Sequence, residues 1–226
     1  MSDEPELQSL PALVKAWRFA HLLLRPVLAR RLGTLVTEGY LVEMGWVRSV
    51  ISHELVDADG EAVPWMTQPF VDFLRPRIRS HWRVFEYGAG ASTLFFARRT
   101  AAVLAVEHDA AFAAELSARL PAQARVIVRP ESSAAYVGAV AEMRPAPHLV
   151  CVDGRDRVGC IAAALPCLDP AGVLVLDDAE RPEYAAALVN LRQAGFRPVE
   201  FWGLAPGWVR QKCTAVFYRD GNILGL

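Results

Sequence analysis

Lysine is almost missing from this sequence: Lys15 and Lys212 are the only two among 24 basic residues, and the rest are arginine. Schiff-base chemistry and a phosphate-binding loop that ends in lysine therefore have almost no candidates. Cysteine is also sparse. Cys151, Cys160, Cys167 and Cys213 form no C-x-x-C pair, which leaves no zinc or dithiol redox motif and suits small buried thiols. Net charge is close to zero, at -1, so the chain lacks the general basic excess that marks a nucleic-acid binder, and no nucleic-acid partner is expected. No stretch has the roughly 18 to 20 apolar residues needed to cross a bilayer, and no export signal is recognisable, so a cytoplasmic protein is expected. What remains is a chain of 226 residues, 53% hydrophobic, enough for one sizeable core with a helical extension.

Two textures divide the chain near residue 80. Residues 1–80 carry helical periodicity and few strand-like runs, and are expected to form a helical extension or lid. Between Leu7 and Leu32, the residues Leu10, Leu13, Trp17, Leu24 and Leu28 recur near three- and four-residue spacing, while Lys15, Arg18, Arg30 and Arg31 fall largely elsewhere. Pro26 would kink or divide this segment. Such a helix could pack on the domain, form a homodimer contact, or rest as a basic amphipathic helix on an anionic membrane surface. Asp57 to Gly60 reads as a turn, and Pro64 to Pro69 as a constrained loop leading to a short helix at Phe70 to Ile78.

Residues 81–226 alternate short β-branched runs with alanine-rich segments, the pattern of a doubly wound α/β sheet. Strands are expected at Arg83 to Tyr87, Ala102 to Glu107, Ala124 to Val128, Leu149 to Asp153 and Gly172 to Leu176, with helices between them. Two further strands, Arg197 to Trp202 and Cys213 to Tyr218, have no helix between them. A loop of this length suits an antiparallel hairpin, because a parallel neighbour needs a longer crossover.

In open α/β sheets ligands bind at the carboxyl ends of the strands. The first such end reads Glu86-Tyr87-Gly88-Ala89-Gly90-Ala91-Ser92-Thr93. Gly88 and Gly90 permit a tight turn and close approach of backbone to ligand, and Ser92 or Thr93 can cap the helix that follows. About 20 residues on, the second strand ends in Glu107, where a carboxylate can hydrogen-bond ribose hydroxyls. A nicotinamide-dependent oxidoreductase and a methyltransferase would both use that glutamate. Glu86 discriminates between them: a negative charge there opposes a pyrophosphate and suits an ammonium and a sulfonium.

With these residues the chain resembles the class I, S-adenosylmethionine-dependent methyltransferases. Val84 to Phe96 looks like their first motif, Val103 to Asp109 like their acidic second-strand motif, and His148 to Asp153 and Gly172 to Asp178 are similar to their later motifs. Gly45-Trp46, Pro64-Trp65 and the ending Thr214 to Asn222 extend the resemblance to a bacterial branch of small-molecule, family-24-like members. The resemblance implies a Rossmann-like, mainly parallel sheet with a C-terminal antiparallel hairpin and an N-terminal helical extension. It implies that Gly88, Ala89 and Gly90 line the methionine portion of S-adenosylmethionine, that Glu86 lies near its amino group and that Glu107 holds its ribose. Ser92, Thr93 and Asp153 join this cofactor set, and Ser132 stands where adenine is usually met. Tyr87 is bulkier than the small residue usual before the first glycine.

Metal-dependent relatives of catechol and macrocin type hold a divalent cation with acids after the fourth and fifth strands, which makes Asp153, Asp177 and Asp178 the candidates here. Only two acidic strand ends are visible and no third ligand, so a metal-free site is favoured, with Asp153 acting directly on cofactor or acceptor. Arg155 and Arg157 could neutralise these aspartates. His81, His108 and His148 are the candidate general bases. The expected activity is methyl transfer to a small-molecule acceptor; the rivals are the oxidoreductase and a methyltransferase-like fold that only binds a partner.

Overall fold

The computed structural model describes residues 11–226, and the chain forms two compact units, Met1–Glu43 and Met44–Leu226. In the first, Pro26 divides the amphipathic stretch as expected. Helix α1 spans Ala12–Leu23, α2 spans Pro26–Thr37 with the proline at its start, and α3 is the single turn Tyr40–Glu43. Proline is tolerated there because the first amides of a helix have no internal partner. The part of the expected helix before residue 11 lies outside the described residues.

The second unit opens with α4 (Trp46–Ser52), a hairpin turn bridged at Val56 and Ala62, and α5 (Gln68–Leu74). It continues as β1 (Arg83–Tyr87), α6 (Ala91–Ala97), β2 (Ala102–Glu107), α7 (Ala110–Ser117), β3 (Ala124–Val128) and α8 (Ala134–Val137). Next come β4 (Leu149–Val152), α9 (Arg157–Ala164), β5 (Val173–Leu176), α10 (Ala185–Gln193), β6 (Arg197–Gly203) and β7 (Lys212–Tyr218). The compact units divide at 43/44, whereas the sequence pattern places its boundary near residue 80. Met66, Phe70, Val71 and Leu74 are buried in one core with Val84, Phe95 and Val175, so residues 44–80 belong to the sheet domain rather than to an extension of it.

The seven strands run in the order β3-β2-β1-β4-β5-β7-β6. All pairs from β3 to β5 are parallel, and β7 lies antiparallel between β5 and β6. The expected terminal hairpin is therefore present. Strand alternation sends Phe85, Tyr87, Val150, Val152 and Leu176 into a core with Tyr136, Ile161 and Leu191, and sends Val84, Cys151, Val175 and Val216 into the opposite one. Both faces are covered, which is why the central strands are apolar almost throughout. Tyr87 belongs to the first core and donates its hydroxyl to the carbonyl of Val137 at 2.6 Å. Its bulk is thus turned into the core, and the glycine loop keeps its room.

Chain order reverses between β1 and β4, one leading to β2 and the other to β5. The loops after β1 and β4 diverge at this point and leave a crevice at the carboxyl edge of the sheet.

Candidate functional site

A cavity of about 760 Å³ occupies that crevice. Its floor is the loop from Gly88 to Ser92 and the β4 end at Asp153 and Gly154, and Glu107 and His108 close one side. The hairpin of residues 53–62, with Trp65, forms the other wall. An ion pair between Arg98, directly after α6, and Glu61 ties that hairpin to the sheet domain's helices.

The floor is bare for a steric reason. Gly88 has φ +87°, a backbone conformation that side chains rarely adopt, and a Cβ there would meet Gly154 Cα at 3.0 Å. A Cβ on Gly154 would meet the Tyr136 hydroxyl at 2.0 Å and Gly88 N at 2.9 Å. The two loops therefore touch through paired glycines. Gly154 was not singled out from sequence; its signal is a glycine directly after an acidic strand end.

Glu86 is 1% exposed, and neither of its carboxylate oxygens has a hydrogen-bond partner. It lies beneath the loop whose Ser92 lines the cavity. Burial pushes its pKa up to about 7, the nearby Ser92 and Thr93 hydroxyls work against this, and Asp153 adds to it. An unpaired carboxyl buried at a strand end is costly, and a cation placed over the glycine loop would remove that cost.

Glu107 is also buried but fully engaged. Its Oε2 accepts from the amide of Ala89 at 3.1 Å, and its Oε1 accepts from the amides of His108 at 2.7 Å and Asp109 at 3.0 Å. The His108 ring is 2.6 Å from the same Oε1. These bonds fix the carboxylate at the β2 end and still leave acceptor capacity on Oε2.

Asp153, Asp177 and Asp178 do converge across the sheet edge, with oxygens within 4.8 Å of one another. Three basic groups already compensate them. Arg157 lies 2.9 Å from Asp153 and 3.3 Å from Asp178, Arg181 lies 2.7 Å from Asp178, and Lys212 contacts Asp178 at 2.7 Å and Asp177 more closely still. Thr214 donates its hydroxyl to Asp177 at 2.6 Å. Burial alone would lower the Lys212 pKa, but Asp177, Asp178 and Asp153 outweigh it and raise it. Burial alone would raise Asp178, and Lys212, Arg157 and Arg181 hold it below the ordinary range. A dication would have to displace or face three cations. Lys212 is the main residue that sequence reasoning missed. Its signal was a lysine opening a buried strand in a chain with two adjacent aspartates to balance.

Of the expected cofactor residues, Glu86 lies behind the cavity lining, while Gly88, Ala89, Gly90, Ser92, Glu107 and Asp153 line the cavity. Thr93 does not: it is fully buried and accepts from the amide of Gly90 at 3.0 Å, shaping the turn. Ser132 does not either; it is exposed, with φ 52°, and the neighbouring Ser133 caps α8. Arg157 neutralises the aspartates as expected, whereas Arg155 Nε lies 3.5 Å from Glu131. His148 precedes β4 at the opposite sheet edge, where its Nδ1 accepts from the amide of Arg83 at 3.0 Å and its ring meets His81. Burial and Arg83 lower its pKa. His108 and His53 are the histidines on the cavity wall. Met66, in the constrained loop of residues 64–69, is a core residue at 1% exposure. Trp46 and Trp65 donate their indole N–H groups to the carbonyls of Trp208 at 2.8 Å and Pro206 at 3.1 Å, which pins the residue 203–212 loop beside the wall.

Comparison with protein-family models and with curated proteins finds no match. Among solved structures, an rRNA methylase from Streptococcus thermophilus is similar over 67% of this chain and 96% of its own, at 15% identity and a TM-score of 0.53. A methyltransferase from Pyrococcus furiosus covers 79% of this chain and 95% of its own, at 14% identity and 0.51. A methyltransferase-like protein from Silicibacter pomeroyi covers 70% and 89%, at 23% identity and 0.51. The chain has the fold of the class I methyltransferases.

Proposed function

We propose that this protein is an S-adenosylmethionine-dependent methyltransferase acting on a small organic acceptor. The observation that carries the reading is Glu86, a buried carboxyl without a partner beneath a glycine loop at the point where strand order reverses. It suits the ammonium and sulfonium of S-adenosylmethionine and opposes the pyrophosphate of a dinucleotide. In this reading Gly88, Ala89, Gly90 and Ser92 hold the methionine portion and Glu107 the ribose. Bound S-adenosylmethionine supplies an activated methyl group for direct displacement by an acceptor nucleophile. The protein's part is to position both molecules and to exclude water, with Trp65 and the 53–62 hairpin forming the acceptor wall. A partly enclosed cavity and a net charge of -1 favour a small acceptor over a nucleic acid.

Calorimetry with the purified protein tests the cofactor. S-adenosylmethionine and S-adenosylhomocysteine should bind saturably, and NAD and NADP should not. Saturable nicotinamide binding with no response to either adenosyl ligand would overturn the reading.

Asp153 is proposed to orient the acceptor or take its proton. It lines the cavity, Arg157 fixes it, and burial raises its pKa against the pull of Arg157 and Lys212. With a turned-over acceptor in hand, Asp153→Asn should reduce turnover by about 10²-fold, and chelators should leave the wild-type rate unchanged. Loss of activity on chelation, restored by magnesium, would replace this role with a metal-holding one.

A further inference from the structure

We propose that the helical pair α1 and α2 is a docking surface for a bilayer rich in anionic phospholipid. Between Glu6 and Glu38 the sequence contains no acidic residue and five basic ones, Lys15, Arg18, Arg25, Arg30 and Arg31. On α1 and the turn after it, Leu13, Trp17 and Leu24 fall on one helical face and are 84%, 64% and 78% exposed. Phe19, elsewhere on α1, and Val27 on α2 are also exposed. The same unit has a groove of about 240 Å³ lined by Trp17, Arg18, His21, Leu22, Arg25 and Leu28, where cationic side chains stand next to apolar ones. That pairing matches a phospholipid headgroup above its acyl chain. An interfacial helix needs both a cationic flank and aromatic and aliphatic side chains that enter the boundary region, and this unit has both.

Charge decides between possible occupants. A second copy meeting the first through this face would bring ten basic residues together with no acid from the same segment, which is repulsive. An anionic bilayer is complementary to those charges. RNA would meet the cations but leave Leu13, Leu24 and Val27 unused. No helix among the described residues is long and apolar enough to cross a membrane, so contact would be at the surface.

The test is co-sedimentation of the full chain with vesicles of phosphatidylcholine alone and of phosphatidylcholine with phosphatidylglycerol. Binding to the anionic vesicles should exceed binding to the neutral ones by at least about tenfold at low salt, and should fall steeply as salt is raised. The double variant Arg30→Glu/Arg31→Glu should abolish the difference, and Trp17→Ala should weaken anionic binding several-fold. A thermal melt of each variant checks folding, and Trp17→Ala, which alters an exposed side chain, serves if the double variant does not fold. Equal binding to both vesicle types, no binding to either, or unchanged binding by both folded variants would overturn the proposal. So would concentration-dependent dimerisation or RNA binding lost in the same variants while vesicle binding is absent.

Discussion

At pH 7, Glu86→Gln should make the ligand-free protein more stable by about 1 to 3 kcal/mol while weakening S-adenosylmethionine binding by at least ~30-fold. Burial raises this carboxyl from 4.5 to about 7, and a gap of that size corresponds to about 3 kcal/mol. The sign follows from proton counting. The folded state binds the Glu86 proton more tightly than the unfolded state, so stability falls as pH rises from about 4.5 to about 7 and is level above that. Removing the charge removes that slope, which urea unfolding at pH 5 and pH 7.5 would register. The ligand effect runs the other way, because the ionised carboxylate is the form that pairs with a cation. Wild-type affinity should therefore decline as pH drops below about 7. A variant that is less stable than wild type, or one that binds S-adenosylmethionine equally well, would remove Glu86 from the proposed role.

Lys212→Met is expected to cost about 3 to 5 kcal/mol, because it breaks a buried ion cluster and leaves its acids uncompensated. Lys212 and Asp177 have side chains 8% and 1% exposed, and Lys212 also bonds Asp178 and the carbonyl of Trp65. Arg157 and Arg181 can still pair Asp178 and Asp153, but they make no ion pair with the Asp177 carboxylate. Adding Asp177→Asn to the variant should recover a large part of the loss, since the orphaned charge is then gone. A double-mutant cycle in urea measures this coupling. A single variant within about 1 kcal/mol of wild type would mean that the cluster contributes little to the fold. The same cluster bears on chemistry, since Arg157 links it to Asp153 in the cavity lining.

Local pattern made β1, β2 and β3 legible to the residue, because short β-branched runs ended in glycine, acid or proline. The helix expected between β3 and β4 was less legible. Its α-helical part stops at Val137 and a tighter turn of helix runs from Gly138 to Glu142, where glycine weakens the α-helical preference. Residues 44–80 read as an extension because their helices are short and their strand content low. Their apolar residues nevertheless pack on the sheet, which no window of sequence displays. His148 seemed a candidate base only because distance along the chain does not say at which edge of the sheet a residue lies.

The sequence by itself determined the doubly wound sheet with its terminal hairpin, the glycine loop after Glu86 and the carboxylate at Glu107. Each of these depends on period-two alternation or on spacing within a single strand-turn-helix unit. Only the tertiary structure decided that Glu86 is buried without a partner, that Gly154 backs Gly88, and that Lys212 comes from a distant strand to meet Asp177 and Asp178. Burial and charge pairing depend on which segments are brought side by side, and strand order, not sequence proximity, sets that.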